Sequence, residues 1–329
     1  MKSPTKRHIC EINAYVDAKW RAELADLMTV KQTAARRRRT TMSHQPPSDA
    51  EGLNHAVLVN RRPSLTRDLP YGPADLQWVT NTSTLVYGPR DAILIDTFTT
   101  AAQNEELVEW VASFDRNLTQ IYSTHGHGDH FFGIGQLLNR FEGATAVATA
   151  GTVAQAEKHA SPEMVDAFWN RLFPGEIPSP LHLPDAIESA ALELDGHELQ
   201  ILPTGFTDTE GTTVVWVPDL SLIVGGDVVY NHTHPYLAET TPQSRDNWRS
   251  ALERLSQLDA RVAVAGHKHS DYPDDPSDIV ETLSYLEDFD ALREATTTPE
   301  ELYAALLDKH PNRANPGSAW AAAKAAHCA

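Results

Sequence analysis

The sequence predicts an α/β fold in which a core of two β-sheets carries helices on its outer faces. Strand-like runs alternate with helical periodicity along most of the chain from about Gly52. The later strand-like runs, such as Ser221-Leu222-Ile223-Val224 and Val262-Ala263-Val264, are almost wholly apolar, as strands buried on both faces are. With 329 residues, 41% of them hydrophobic, the chain is long enough to bury a sizeable core.

Taken in order, the first strands are expected at 56–59, 84–87, 92–95 and 119–123. The turn signal Gly88-Pro89-Arg90-Asp91 makes a hairpin of the second and third. Leu107, Val108 and Val111 share one face of a first helix over 104–114. A short helix at 135–140 and a strand at 145–149 follow. Further strands are expected at 199–202, 213–217, 221–224 and 261–265. Between the last two, Trp248, Leu252, Leu255 and Leu258 recur at helical spacing over 245–258. Towards the end, Ile279, Val280, Leu283, Leu286 and Phe289 form an apolar helix face. Thr298-Pro299-Glu300-Glu301 then reads as an N-cap, a first-turn proline and a capping-box glutamate ahead of Tyr303, Leu306 and Leu307.

Charge and composition narrow the function. The formal net charge of -18 repels a phosphate backbone at long range, so nucleic acid is not the expected partner. No apolar run approaches the ~20 residues that span a bilayer, so no membrane partner is expected. Cys10 and Cys328 are too sparse for a disulfide scaffold, and a cytoplasmic setting is the default expectation. Residues 1–51 differ in character: the first fifty hold ten Lys/Arg against five Asp/Glu and include Arg36-Arg37-Arg38-Arg39. They are expected to be a basic, poorly ordered extension, with 52–329 forming the main domain. Met42 is an alternative start.

The chemistry is concentrated in His125-Gly126-His127-Gly128-Asp129-His130, directly after the strand-like Gln120-Ile121-Tyr122-Ser123-Thr124. Imidazole nitrogen and carboxylate oxygen are the ligands that zinc and similar divalent ions take. The intervening glycines let the loop curl so that neighbouring side chains converge. This loop is expected to bind metal.

The run resembles the His-X-His-X-Asp-His signature of the metallo-β-lactamase superfamily. Downstream, Gly225-Gly226-Asp227 resembles that family's bridging-aspartate segment, and Ala265-Gly266-His267 its last-histidine segment. The resemblance implies an αββα four-layer sandwich of two mixed β-sheets flanked by helices. It also implies a metal set of His125, His127, Asp129, His130, Asp227 and His267, loaded with one or two Zn2+ or another divalent metal. The family normally offers a further histidine in a Gly-His-Thr segment. Here the chain reads Gly205-Phe206-Thr207, and a phenyl ring cannot ligate a metal. The first metal site is therefore expected to keep fewer ligands than the second, with Asp208, His232 and His234 as candidates to compensate, none of which the sequence shows to reach.

The implied activity is that of a metal-dependent hydrolase, with metal-bound hydroxide attacking an ester, lactone, thioester or β-lactam carbonyl of a small-molecule substrate. Asp129 is the candidate catalytic residue, orienting the nucleophile or passing a proton. The alternative is a metal-binding member with weak or no catalysis because of Phe206. Oxidative one-iron members are expected to use the histidine that is missing here, which disfavours that chemistry.

Phe206, Tyr230 and His234 are candidates to line the pocket, the last two with His232 because they follow Asp227 closely. The apolar insert from Pro162 to Phe173 reads as core packing, with a lid over the pocket as the alternative. His55, His159, His182 and His197 have no motif around them and are expected to be structural or on the surface.

Overall fold

A computed structural model describes residues 52–63 and 68–327 of the chain. The expectations for residues 1–51, and for both cysteines, lie outside the described residues. Two sheets organise the rest. The first has the strand order β1 (Asn54–Pro63), β2 (Trp78–Tyr87), β3 (Asp91–Ile95), β4 (Asn117–Tyr122), β5 (Thr145–Thr149), β6 (Asp185–Ile187). Its β1–β2 and β2–β3 pairs are antiparallel, and its remaining pairs are parallel. The second sheet runs β12 (Val262–Val264), β10 (Leu222–Val224), β9 (Thr212–Val217), β8 (His197–Gly205), β7 (Ala191–Leu194). A parallel ribbon of β11 (Tyr230–Asn231) with β13 (His267–Lys268) stands apart from both.

Strand alternation builds the layers. In β3, Ala92 and Leu94 face outward into one apolar cluster, whereas Ile93 and Ile95 face inward into another. The inward cluster joins Val86, Tyr122 and Val147 of the first sheet to Val215, Val217, Leu222 and Val224 of the second. That makes it the layer between the sheets. Outside the first sheet lie helices α1 (Ala101–Ala112), α2 (Gly128–Phe131), α3 (Ile134–Arg140) and α4 (Ala150–His159). Outside the second lie α5 (Pro242–Leu255), α6 (Ser277–Ala295), α7 (Pro299–Lys309) and α8 (Pro316–His327), packed around Trp248, Tyr285, Phe289 and Tyr303. The result is the expected four-layer αββα sandwich of two mixed sheets.

The departures have local causes. Helix α1 begins at Ala101 rather than 104, because Thr100 and Gln103 form a reciprocal capping box. Helix α5 starts at Pro242 for the same reason, capped by Thr241 and Ser244. Strand β2 extends back to Trp78 through the polar run Thr80-Asn81-Thr82-Ser83, which has no apolar alternation to announce it. Two of its buried hydroxyls are paired with distant backbone: Thr82 donates to the Ala265 carbonyl at 2.6 Å and Ser83 to the Asp96 carbonyl at 2.7 Å. Val280, expected on the buried face of α6, is 57% exposed. The insert is helical in short pieces, Pro162–Met164, Val165–Trp169 and Asn170–Leu172, and Trp169 and Phe173 are buried in the outer core of the first sheet. Core packing, rather than a free lid, is what the structure shows.

Candidate metal centre

The six expected ligands converge where the two sheets meet, on loops leaving the ends of strands. Strand β4 stops at Tyr122, and Thr124 is pinned by Asp96, whose carboxylate accepts from its amide and its hydroxyl at 2.8 Å each. That anchor aims His125 and His127 inward before α2 presents Asp129 and His130. Asp227 follows β10 across Gly226, whose φ of +48° and close approach to Thr124 both exclude a side chain. His267 opens β13 directly after Gly266. A Cβ at Gly266 would stand 2.2 Å from Asp227 Oδ1, so glycine is required there for the aspartate to sit as it does.

Asp227 lies at the centre. Its Oδ1 is 3.2 Å from His130 Nε2, and its Oδ2 is 3.1 Å from His267 Nε2 and 4.0 Å from His125 Nε2. Asp129 Oδ2 closes one half, 3.8 Å from His130 Nε2 and 3.5 Å from His267 Nε2. The other half holds a residue absent from the expected set. Asp208 Oδ2 lies 3.1 Å from His127 Nδ1 and 3.7 Å from His125 Nε2. Its Oδ1 accepts from the Thr207 hydroxyl at 2.9 Å, which leaves Oδ2 for the cluster. Two donor groups result: His125, His127, Asp208 and Asp227 in one, and Asp129, His130 and His267 in the other, with Asp227 touching both.

The first group therefore does not lack a third donor of its own, contrary to the expectation drawn from Phe206. Asp208, two residues on, supplies a carboxylate instead. Phe206 is half-buried, and its carbonyl accepts from Asn247 at 2.8 Å, which ties the loop to α5. Tyr230 does belong to the site: its hydroxyl donates to Asp227 Oδ2 at 2.8 Å and its ring stacks on His267. His234 does not line an open mouth. It is fully buried, with Nδ1 2.9 Å from the Tyr285 hydroxyl in the outer core of the second sheet. His232 stacks on Tyr272 nearby. His159, expected to be structural, instead packs its ring 4.8 Å from that of His127.

These residues fit a divalent ion. His125 Nε2, His130 Nε2, Asp208 Oδ2 and Asp227 Oδ1 are buried without a hydrogen-bond partner. Each such orphan costs roughly 1–3 kcal/mol, more where the group is charged. Four of them pointing at one another make sense as a ligand cradle. Burial, assisted by the charge of His130, drives the His125 imidazole well below its ordinary value and so favours its neutral, ligating form. Burial also raises Asp208. For Asp227 burial pushes the same way, but the facing His267 and His130 override it and hold the carboxyl well below its usual range. The remaining ring nitrogens turn outward: His130 Nδ1 meets Asp96 Oδ2 at 3.0 Å, and His267 Nδ1 meets the Thr80 carbonyl. Such outer partners fix which nitrogen faces the metal.

Sequence reasoning named Asp208, His232 and His234 as candidates to compensate for Phe206, and of these Asp208 reaches the cluster; it missed Asp96, Asn81, His159 and Glu239. Asp96 carried a signal, a charged residue closing the apolar run of β3, and Asp208 sits in a Thr-rich loop between two strands. Nothing local marks His159 or Glu239, which reach the site from α4 and from the connection before α5.

Comparison with known proteins agrees with this fold. The family model of the metallo-beta-lactamase superfamily matches residues 76–267. A metallo-beta-lactamase type 2 from Bacteroides fragilis is 26% identical over 186 residues, 56% of this chain and 67% of that protein. One from Bacillus cereus is 22% identical over 230 residues, 69% of this chain and 81% of that protein. Among solved structures, a metallo-beta-lactamase family protein from Thermus thermophilus superposes with a TM-score of 0.58 at 23% identity, covering 82% of this chain and 91% of that one. With its family match spanning more than half its length and its ligand cluster assembled at the meeting of two sheets, this chain belongs to the metallo-β-lactamase superfamily.

Proposed function

We propose that this protein is a metal-dependent hydrolase of small molecules carrying an ester, lactone, thioester or β-lactam carbonyl. The observation that carries the reading is the paired donor groups sharing Asp227. Zinc suits their mixed nitrogen and oxygen donors, with His125, His127, Asp208 and Asp227 holding one ion and Asp129, His130, His267 and Asp227 another. When bound, such ions supply Lewis acidity and lower the pKa of water from 15.7 to about 7. β-Lactams belong among the candidates because the curated relatives carry that name.

The chain's own residues do the rest. Asp129 is 14% exposed at its side chain, more open than Asp208 or Asp227, and Asn81 Nδ2 holds its Oδ2 at 2.9 Å. It is placed to take a proton from the attacking water and return it to the leaving group. The Tyr230 hydroxyl fixes the rotamer of Asp227. The reading of weak or absent catalysis rested on a missing third donor, and Asp208 removes that ground.

The test is metal analysis of the purified chain, followed by a screen of esters, lactones, thioesters and β-lactams on metal-stripped and zinc-reloaded protein. Turnover of at least one class that disappears on stripping and returns on reloading is expected. Folded protein that binds zinc yet cleaves no class in either state would refute the hydrolase reading.

A further inference from the structure

Three of the four imidazoles in the cluster have evident outer partners. Thr124 Oγ1 stands 3.1 Å from His125 Nδ1, Asp96 holds His130, and the Thr80 carbonyl faces His267. For His127 the geometry is reversed: Nδ1 faces Asp208 and Nε2 points away from the cluster. What it meets is Glu239, whose Oε1 lies 3.3 Å from Nε2, within ion-pair range though outside strict hydrogen-bond geometry. Glu239 stands in the connection between β11 and α5, and, against the pull of burial, the Thr209 side chain, beside Asp208, is among the groups that hold its carboxyl below the usual range, after His127. The ring of His127 is enclosed by His159 at 4.8 Å and by the edge of Tyr236 at 5.7 Å. His159 is itself 6% exposed and backed by Trp169.

We propose that Glu239 is a positioning residue for the metal centre, accepting the Nε2–H of His127 so that the bare Nδ1 is held toward Asp208. Its carboxylate steadies His127 directly, from the side of the ring away from the cluster. An imidazole has two nitrogens, and the acceptor on one decides which proton is kept and how the ring is aimed. Without Glu239, His127 would be free to take the other tautomer, with a proton on the nitrogen that should ligate. The cluster of His127, His159 and Glu239 also has the makings of a separate ion site, its ligand atoms lying within 4.8 Å of one another. An ion there in addition to the first would require His127 to give up both ring protons, so the hydrogen-bonded arrangement is the one we assign.

This inference rests on the metal reading above, and the experiment separates the two. Zinc is titrated into the full chain, previously stripped, in competition with a chromophoric chelator, for the unaltered protein, Glu239→Ala and Glu239→Gln. For Glu239→Ala we expect one ion to bind roughly 10–100-fold more weakly, the usual consequence of losing an outer partner, with the other unchanged. The melting temperature of the metal-free protein should not move. Glu239→Gln, which keeps an oxygen acceptor but loses the charge, should fall between the two. Equal affinity for both ions in Glu239→Ala and the unaltered chain would overturn the assignment. So would equal weakening of both ions with a lower metal-free melting temperature, which marks a merely structural role. A further ion that vanishes in Glu239→Ala while the first two persist would make Glu239 a ligand instead. An unaltered chain that binds no zinc would overturn the metal reading itself, and this inference with it.

Discussion

Asp208 Oδ2 and His127 Nδ1 face each other across 3.1 Å inside the buried cluster. The contact places a carboxylate where Phe206, two residues earlier, offers nothing to a metal, and Asp208 is fully buried there with one oxygen unpartnered. An isolated buried carboxylate is expensive, so its position is stable only with cationic company.

Asp208→Ala should therefore weaken one ion by more than the roughly 10–100-fold typical of losing an outer partner, since a direct donor is removed. Phe206→Ala should leave metal content unchanged. Chelator competition on both variants checks this, and the reverse ranking would mean that the 206–208 loop is wrongly read.

The outer support of His130 gives a second expectation. Asp96 accepts from Thr124 twice and meets His130 Nδ1 at 3.0 Å, so it orients both the loop and a ligand. Asp96→Asn keeps most of its size but loses the charge and one acceptor. It should cost about 10–100-fold in metal affinity or turnover. Wild-type affinity and turnover in this variant would contradict the role.

The fold itself offers a third. Trp248 is fully buried in the outer core of the second sheet, and its indole donates to the Val228 carbonyl at 2.9 Å. Trp248→Ala should destabilise the protein by about 3–5 kcal/mol, from lost burial and the cavity left behind. Val228 adjoins Asp227, so metal affinity should drop as well. Chemical denaturation of the metal-free and zinc-loaded forms measures both effects.

How much of this was legible in the sequence depended on whether the signal was local. The apolar runs of β3, β9 and β10 declared themselves because both faces of each strand are buried, and the Thr298–Glu301 cap because its bonds join residues adjacent in sequence. The 125–130 run was legible for the same reason, since four donor side chains sit within six positions. The first half of β2 was not, because its buried residues carry hydroxyls and an amide whose partners, where they have them, are distant in sequence. That half supports the site, through Thr80 against His267 and Asn81 against Asp129. Glu239 was hidden likewise, and Asp208 could only be named beside His232 and His234: each matters only through an imidazole more than seventy positions away.

A pH expectation follows from Asp278, which lies at the start of α6 away from the metal ligands. Burial pushes its carboxyl up to about 7, although the Asn231 amide, donating at 2.7 Å, pulls the other way. A carboxyl raised on folding is more readily protonated in the folded chain than in the unfolded one. Its contribution is therefore present at low pH and lost as pH rises from its ordinary value near 4 through about 7. Asp278→Asn should remove this loss, so its melting temperature should gain on that of the unaltered protein between pH 5 and pH 8. A constant difference across that range would show that Asp278 does not titrate there.

The central claim is that the buried cluster is a two-ion centre built around Asp227. Metal content of the purified, exhaustively dialysed chain, measured by elemental mass spectrometry beside Asp227→Asn, tests it most directly. The account predicts about two divalent ions per unaltered chain, and a loss at both positions from the single substitution at the shared ligand. Folded protein without bound metal, or Asp227→Asn retaining the full complement, would contradict it.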